Sequence, residues 1–145
     1  MEFITKSAGE TKKLGKEIAN QLISPKPEDS GRIIALSGDL GSGKTTLVQG
    51  LSQGLGLKSR ILSPTFILMR RYELAKGHFF HVDLYRLNNQ VAEEVVNIGL
   101  TDIWQESNNV VIIEWAEKIK DIIPKNTKWI FFENLGGDKR KITIK

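Results

Sequence analysis

The octapeptide Gly38-Asp39-Leu40-Gly41-Ser42-Gly43-Lys44-Thr45 satisfies G-x-x-x-x-G-K-[ST] at every fixed position. Glycines at this spacing let the backbone curl around a diphosphate with successive N–H groups turned inward, while a helix beginning at the lysine offers its positive end to the same anion. Lys44 would reach the β- and γ-phosphates, and Thr45 would set its hydroxyl on Mg²⁺. The pattern carries weight only between a strand and a helix, and both flanks read that way. Ile33-Ile34-Ala35-Leu36, bounded by Gly31 and Gly38, is an unbroken apolar run of the kind found in strands buried on both faces. Leu47, Val48, Leu51 and Leu55 then share one face of a helix over 44–55, which Gly50 and Gly54 weaken slightly.

The remaining elements fit the same α/β plan. A capping box at Ser7-Ala8-Gly9-Glu10 and the i, i+4 series Leu14, Ile18, Leu22 predict an amphipathic helix over 8–23. The polar stretch Ser24-Pro25-Lys26-Pro27-Glu28-Asp29-Ser30 reads as a loop. Strands are predicted over 65–72 and 79–84 as an antiparallel pair, and a helical pattern over 90–104 is interrupted at Gly99. Val110-Val111-Ile112-Ile113 is a second central strand, and segments 129–133 and 141–144 form a hairpin through Leu135-Gly136-Gly137-Asp138. Mixed strands and helices of this kind build a three-layer sandwich around a mixed sheet.

A chain of 145 residues is one domain's worth, and 1–145 is read as a single unit with a core large enough to need no staple. The absence of cysteine excludes disulfides and thiolate sites, and two histidines, His78 and His81, leave little for zinc. The net charge of +4 permits a polyanionic partner without requiring one, and runs such as Lys12-Lys13 and Lys139-Arg140-Lys141 read individually as solvated faces. The N-terminus lacks the apolar region of a signal peptide, and no apolar run approaches membrane-spanning length. The expectation is a soluble protein without membrane contact, cytoplasmic if bacterial.

A nucleotide site of this kind also needs an acid at the end of a neighbouring strand to hold Mg²⁺ through its water shell. Glu114, after the apolar run at 110–113, and Asp83, after Phe79-Phe80-His81-Val82, are the candidates. Asp83 reads equally as a turn or cap residue before Leu84-Tyr85-Arg86. Period-2 geometry puts His81 on the same face as Asp83, where a packed or hydrogen-bonded ring is the ordinary outcome. Ser63-Pro64-Thr65-Phe66 could sense a γ-phosphate as switch threonines do, or simply turn the chain into a strand. The D-x-x-G and N-K-x-D signals of guanine-nucleotide proteins are missing, which favours adenine.

Taken in order, Gly38 through Thr46, Ser63-Pro64-Thr65-Phe66, His81-Val82-Asp83-Leu84-Tyr85-Arg86-Leu87 and Ile113-Glu114-Trp115-Ala116-Glu117-Lys118 resemble the bacterial TsaE (YjeE-type) P-loop ATPases. The resemblance implies a three-layer P-loop NTPase fold with a mixed, mostly parallel sheet and a C-terminal β-hairpin. It also implies an ATPase required for N6-threonylcarbamoylation of adenosine 37 in tRNAs reading codons that begin with A. Such a protein does not transfer the group itself; it acts with the TsaB and TsaD proteins, hydrolyses ATP to reset that complex, and meets tRNA indirectly.

By the same resemblance, Gly41, Ser42, Gly43, Lys44, Thr45 and Thr46 bind the phosphates of ATP, and Thr45 and Glu114 hold Mg²⁺. Lys44 and Asp83 are the catalytic pair, with Asp83 near the metal or the attacking water. Thr11, Trp115 and Arg140 lie near the nucleotide, Trp115 as an adenine-stacking ring or as plain core, and Lys139 is the alternative to Arg140. Two other classes stay open. A small-molecule P-loop kinase would need an acceptor pocket and an arginine lid, for which only Arg70-Arg71 and Arg86 are available. A tRNA-binding module would keep nucleotide as a structural element.

Overall fold

The computed structural model describes residues 1–23, 32–39, 41–57, 61 and 67–145. Ser63-Pro64-Thr65-Phe66, the stretch 24–30 and Leu40 of the phosphate loop lie outside them. The strands are β1 (Glu2–Thr5), β2 (Arg32–Ser37), β3 (Met69–Glu73), β4 (His78–Asp83), β5 (Val110–Glu114), β6 (Lys128–Gly136) and β7 (Lys139–Ile144). The helices are α1 (Ala8–Ile23), α2 (Lys44–Gly54), α3 (Val91–Asn97) and α4 (Leu100–Ile103), and one turn of 3-10 helix spans Ala116–Ile119. The sheet is mixed, in the order β1-β7-β6-β2-β5-β4-β3. Antiparallel pairs lie toward its edges, while β4 and β5 run parallel. Among the described residues no helix is long and apolar enough to cross a membrane.

By their own contacts the residues form two compact units, Met1–Lys26 with Leu36–Leu62 and Trp129–Lys145, and Pro27–Ala35 with Ser63–Lys128. In the first, the capping box forms with a displaced return bond. Ser7 Oγ accepts from the Glu10 N–H at 3.1 Å, and Glu10 Oε2 accepts from the Lys6 N–H at 2.9 Å. Strand β1 has no counterpart in the expected elements; four residues, of which only Thr5 is buried, carry too short a pattern, and pairing with β7, from Glu2↔Thr143 to Thr5↔Arg140, makes it a strand.

The hairpin is longer than 129–133 and 141–144. Gly136 (φ 106) and Gly137 (φ 53) occupy left-handed backbone, so a bulge between Asn134 and Gly136 and a tight turn let pairing run on to Gly136↔Lys139.

Helix α2 begins at Lys44 as expected and ends one residue early, Leu55 serving as its C-cap. Its glycines do more than weaken it. A Cβ at Gly50 would stand 2.0 Å from the Lys12 carbonyl oxygen in α1, and one at Gly15 would stand 2.4 Å from the Leu47 carbonyl oxygen. The two backbones meet where both sequences have no side chain. Gly50→Ala therefore gains roughly 1 kcal/mol of helix propensity and loses more to forced separation of α1 and α2, for a net destabilisation of about 1–3 kcal/mol. Thermal melting of the variant should show a lowered Tm.

In the second unit the 3.6-residue pattern over 90–104 resolves into α3 and α4, and Gly99 at φ 83 makes the break. Strand β3 spans Met69–Glu73, and of the strand expected over 65–72, Thr65 and Phe66 lie outside the described residues. Leu68 adopts φ 68, which ends extended backbone there, and its carbonyl accepts the Asp83 N–H at 2.8 Å. The expected antiparallel pair follows, Met69↔Val82 through Glu73↔His78. All five residues of β5 are buried, and its partner β4 is buried from Phe79 to Asp83. This apolar pairing delivers Asp83 and Glu114 side by side at the carboxyl ends of two parallel strands.

Candidate functional site

The first unit holds the glycine-rich loop. Gly41 (φ 76) and Gly43 (φ 102) both take left-handed backbone, and Gly43 caps α2 with no side-chain hydrogen bond. A helix leaves its first N–H groups without intrahelical acceptors, so an uncapped N-terminus presents donors and a partial positive charge to an anion. Lys44 is buried to 5% exposure, and its Nζ donates to the Gly38 carbonyl within the loop. Ser42 is 2% exposed, and its Oγ has no hydrogen-bond partner among the described residues. A buried hydroxyl without a partner costs stability, and a phosphate oxygen would satisfy it. Thr45, in the first turn of α2, is exposed.

Beside this loop Ala8, Thr11, Gly43, Thr46, Asp138 and Arg140 line one cleft. Four of these, Thr11, Gly43, Thr46 and Arg140, are residues that the family resemblance assigns to nucleotide. Thr11 is held by a 2.7 Å hydroxyl–hydroxyl hydrogen bond to Thr5, which ties α1 to β1. Arg140 Nη2 donates to the Gly41 carbonyl at 3.1 Å, while Nη1 donates to Asn134 Oδ1 and to the Gly137 and Lys139 carbonyls at 2.7–3.1 Å. The hairpin bulge thus aims Arg140, and not the exposed Lys139, at the loop.

The second unit holds the acids. Asp83 is 5% exposed, and its Oδ1 accepts the Tyr85 N–H at 3.0 Å, so the turn reading of this residue is realised. Glu114 is 4% exposed, and its Oε2 lies 2.6 Å from His81 Nε2 across the β4–β5 pairing. Period 2 puts His81 on the face of Asp83, and only the register of β5 against β4 names its partner. His81 Nδ1 is buried without a hydrogen-bond partner among the described residues, where the ring's contact of this kind is the carboxylate.

Trp115 follows at φ 61, an uncommon backbone for a bulky residue. Its ring packs on Tyr85, with centroids 5.3 Å apart and planes at 45°. It is neither fully buried nor free in solvent.

Among the described residues no group of three or more His, Cys, Asp or Glu could enclose a metal ion by itself. Mg²⁺ is ordinarily held by one or two protein oxygens together with waters and substrate phosphates. Hydroxyl and carboxylate oxygens, the donor types of Thr45 in the first unit and of Glu114 in the second, are each of the kind that suits this ion.

A mixed α/β sheet with a G-x-x-x-x-G-K-T loop running from strand to uncapped helix, and acids at strand ends, defines the phosphate-loop class of proteins. Within it, this chain belongs to the TsaE family. The family model described as "Threonylcarbamoyl adenosine biosynthesis protein TsaE" matches residues 5–142. The tRNA threonylcarbamoyladenosine biosynthesis protein TsaE of Synechocystis is 38% identical over 125 residues, covering 84% of this chain and 74% of that protein. The protein of the same name from Treponema pallidum is 32% identical over 144 residues, 99% of each chain. The crystal structure of Bacillus subtilis YdiB superposes with a TM-score of 0.74 at 28% identity, covering 99% of this chain and 83% of that one.

Proposed function

We propose that this protein is a Mg²⁺-dependent ATPase that serves N6-threonylcarbamoylation of adenosine 37 in tRNAs reading A-starting codons, in concert with TsaB and TsaD proteins. The observation that carries this reading is the phosphate loop of a TsaE-family chain. A buried lysine, a partnerless buried serine hydroxyl and an uncapped helix start converge on one short segment. Gly41 to Thr46 bind the phosphates, with Lys44 on the β- and γ-phosphates. Thr11 and Arg140 border the nucleotide, and Trp115 offers a ring for adenine. Thr45 and Glu114 hold the metal, which neutralises charge developing on the phosphates. Asp83 positions the attacking water or the metal's water shell, and His81 keeps the Glu114 carboxylate in one orientation. The protein would work in the cytoplasm.

The test is ATP turnover by this chain alone and with TsaB and TsaD added. Turnover that rises with the partners supports the reading. ATP consumption matched by a phosphorylated small molecule would make the protein a kinase, and tRNA affinity independent of ATP would make it an RNA-binding module.

The two acids should separate kinetically. Glu114→Ala is expected to weaken the Mg²⁺ dependence of nucleotide binding, seen by calorimetry across a magnesium titration. Asp83→Ala should lower kcat more than it changes ATP affinity, because a water-positioning group acts in the transition state. The reverse pattern would exchange the roles, and no effect from either variant would remove both from the site.

A further inference from the structure

Lys118 lies in the 3-10 turn Ala116–Ile119 that follows β5, and its ammonium group is fully committed. Nζ donates to the carbonyls of Leu84 at 3.1 Å, Tyr85 at 2.9 Å and Leu87 at 2.7 Å. An ammonium group has three N–H donors, so one cradle of backbone oxygens uses all of them. The same nitrogen sits 5.9 Å from the centre of the Tyr85 ring and 5.8 Å from that of Trp115, within cation–π range of both. Pinning a long side chain in one place costs rotamer freedom, and an ordinary surface lysine does not meet that cost.

The backbone is arranged to make the contact. Trp115 at φ 61 turns the chain immediately after Glu114, and the Lys118 N–H closes this turn on the Trp115 carbonyl at 3.1 Å. A bulky residue in this conformation persists where its surroundings impose it, commonly at functional sites. On the other side, the Leu84 N–H donates to the Glu114 carbonyl at 3.2 Å, and the Leu87 N–H to the Leu84 carbonyl at 3.0 Å. Residues 84–87 directly follow Asp83 and contain the exposed Arg86. Neither Asp83 nor Arg86 touches Lys118 in any of these contacts; the lysine holds the backbone on both sides of Arg86, at Leu84, Tyr85 and Leu87.

We infer that Lys118 is a positioning residue for Asp83 and Arg86: its ammonium group clasps the turn at 84–87 to the turn after Glu114, and so sets Asp83 and Arg86 for hydrolysis without contributing to ATP affinity. This rests on the ATPase reading above and adds to it a residue that never meets the nucleotide. The clasp favours one arrangement of the turn, and a cation of the same shape supplied from solution should restore it.

The test uses the full chain with TsaB and TsaD and two variants. Lys118→Met keeps the stem without the charge, and Lys118→Ala leaves room for propylammonium. In Lys118→Met, amide hydrogen exchange at Tyr85 and Leu87 should quicken about tenfold or more while that at Val111 and Ile113 is unchanged, since only the local opening is eased. Its kcat should fall about tenfold or more with KM for ATP held within about twofold. Propylammonium should raise kcat of Lys118→Ala above a sodium control of equal ionic strength. Unchanged exchange at Tyr85 and Leu87, an unchanged kcat, or kcat and KM shifting together would overturn the inference, as would equal rates in propylammonium and sodium. A wild-type chain that hydrolyses no ATP with its partners would instead refute the ATPase reading itself.

Discussion

Arg86→Ala is expected to abolish the stimulation of ATP hydrolysis by TsaB and TsaD while leaving ATP binding intact. Arg86 is exposed, three residues beyond Asp83, in a turn whose backbone is fixed by Lys118. An arginine held at a turn just past a strand-end acid is suited to stabilise charge on a transferring phosphoryl group once a partner orders the site. Where such a group completes a phosphate-loop enzyme, the gain in rate is on the order of 10³–10⁵. Phosphate release at saturating ATP, with partners titrated in, measures the effect. Wild-type turnover should be slow alone and rise with partners, and the variant should remain at the slow rate. Equal stimulation of both proteins would take Arg86 out of the reaction.

Lys44→Ala should cost most of the affinity for ATP. The ammonium group is the charge-assisted donor in a loop that otherwise offers neutral ones, and its loss removes an interaction of ~1.5–3 kcal/mol, or ~10–150-fold in Kd. In the structure this group is parked on the Gly38 carbonyl, inside the loop that would meet phosphate. The fold should survive, because the elements are joined by other means: the β1–β7 ladder, the hairpin and the glycine-mediated approach of α1 to α2. Calorimetry with ATP and a thermal melt of the same variant separate the two effects. ATP affinity equal to wild type would refute the phosphate-loop assignment. Lys44→Arg should fail similarly, since the larger planar fork does not replace a compact ammonium group.

The sequence by itself determined the elements whose signal is local. Unbroken apolar runs announced β2 and β5, a run of i, i+4 leucines and isoleucine announced α1, and Gly99 announced the break between α3 and α4. The G-x-x-x-x-G-K-T spacing is legible for the same reason, since its glycines and lysine stand within one short segment.

Other features became visible only when distant segments met. Strand β1 is four residues that become a strand through pairing with β7. Strand β3 starts where Leu68 turns left-handed, a conformation its sequence does not favour and which its bond to the Asp83 N–H accompanies. Gly50 read as a weak helix position, and is the point where the backbone of α1 leaves no room for a Cβ. His81 was legible as a strand residue beside Asp83, while its bond to Glu114 depends on the parallel register of β4 with β5, which residues 33 apart in sequence cannot signal. Lys118 gave no sign of its role, because backbone carbonyls are common to every residue and only the folded turn gathers three of them around one nitrogen. Periodicity and motif spacing encode what a segment does with its neighbours in the chain; pairing partners, close approaches and side-chain cradles follow from long-range packing, which has no period to read.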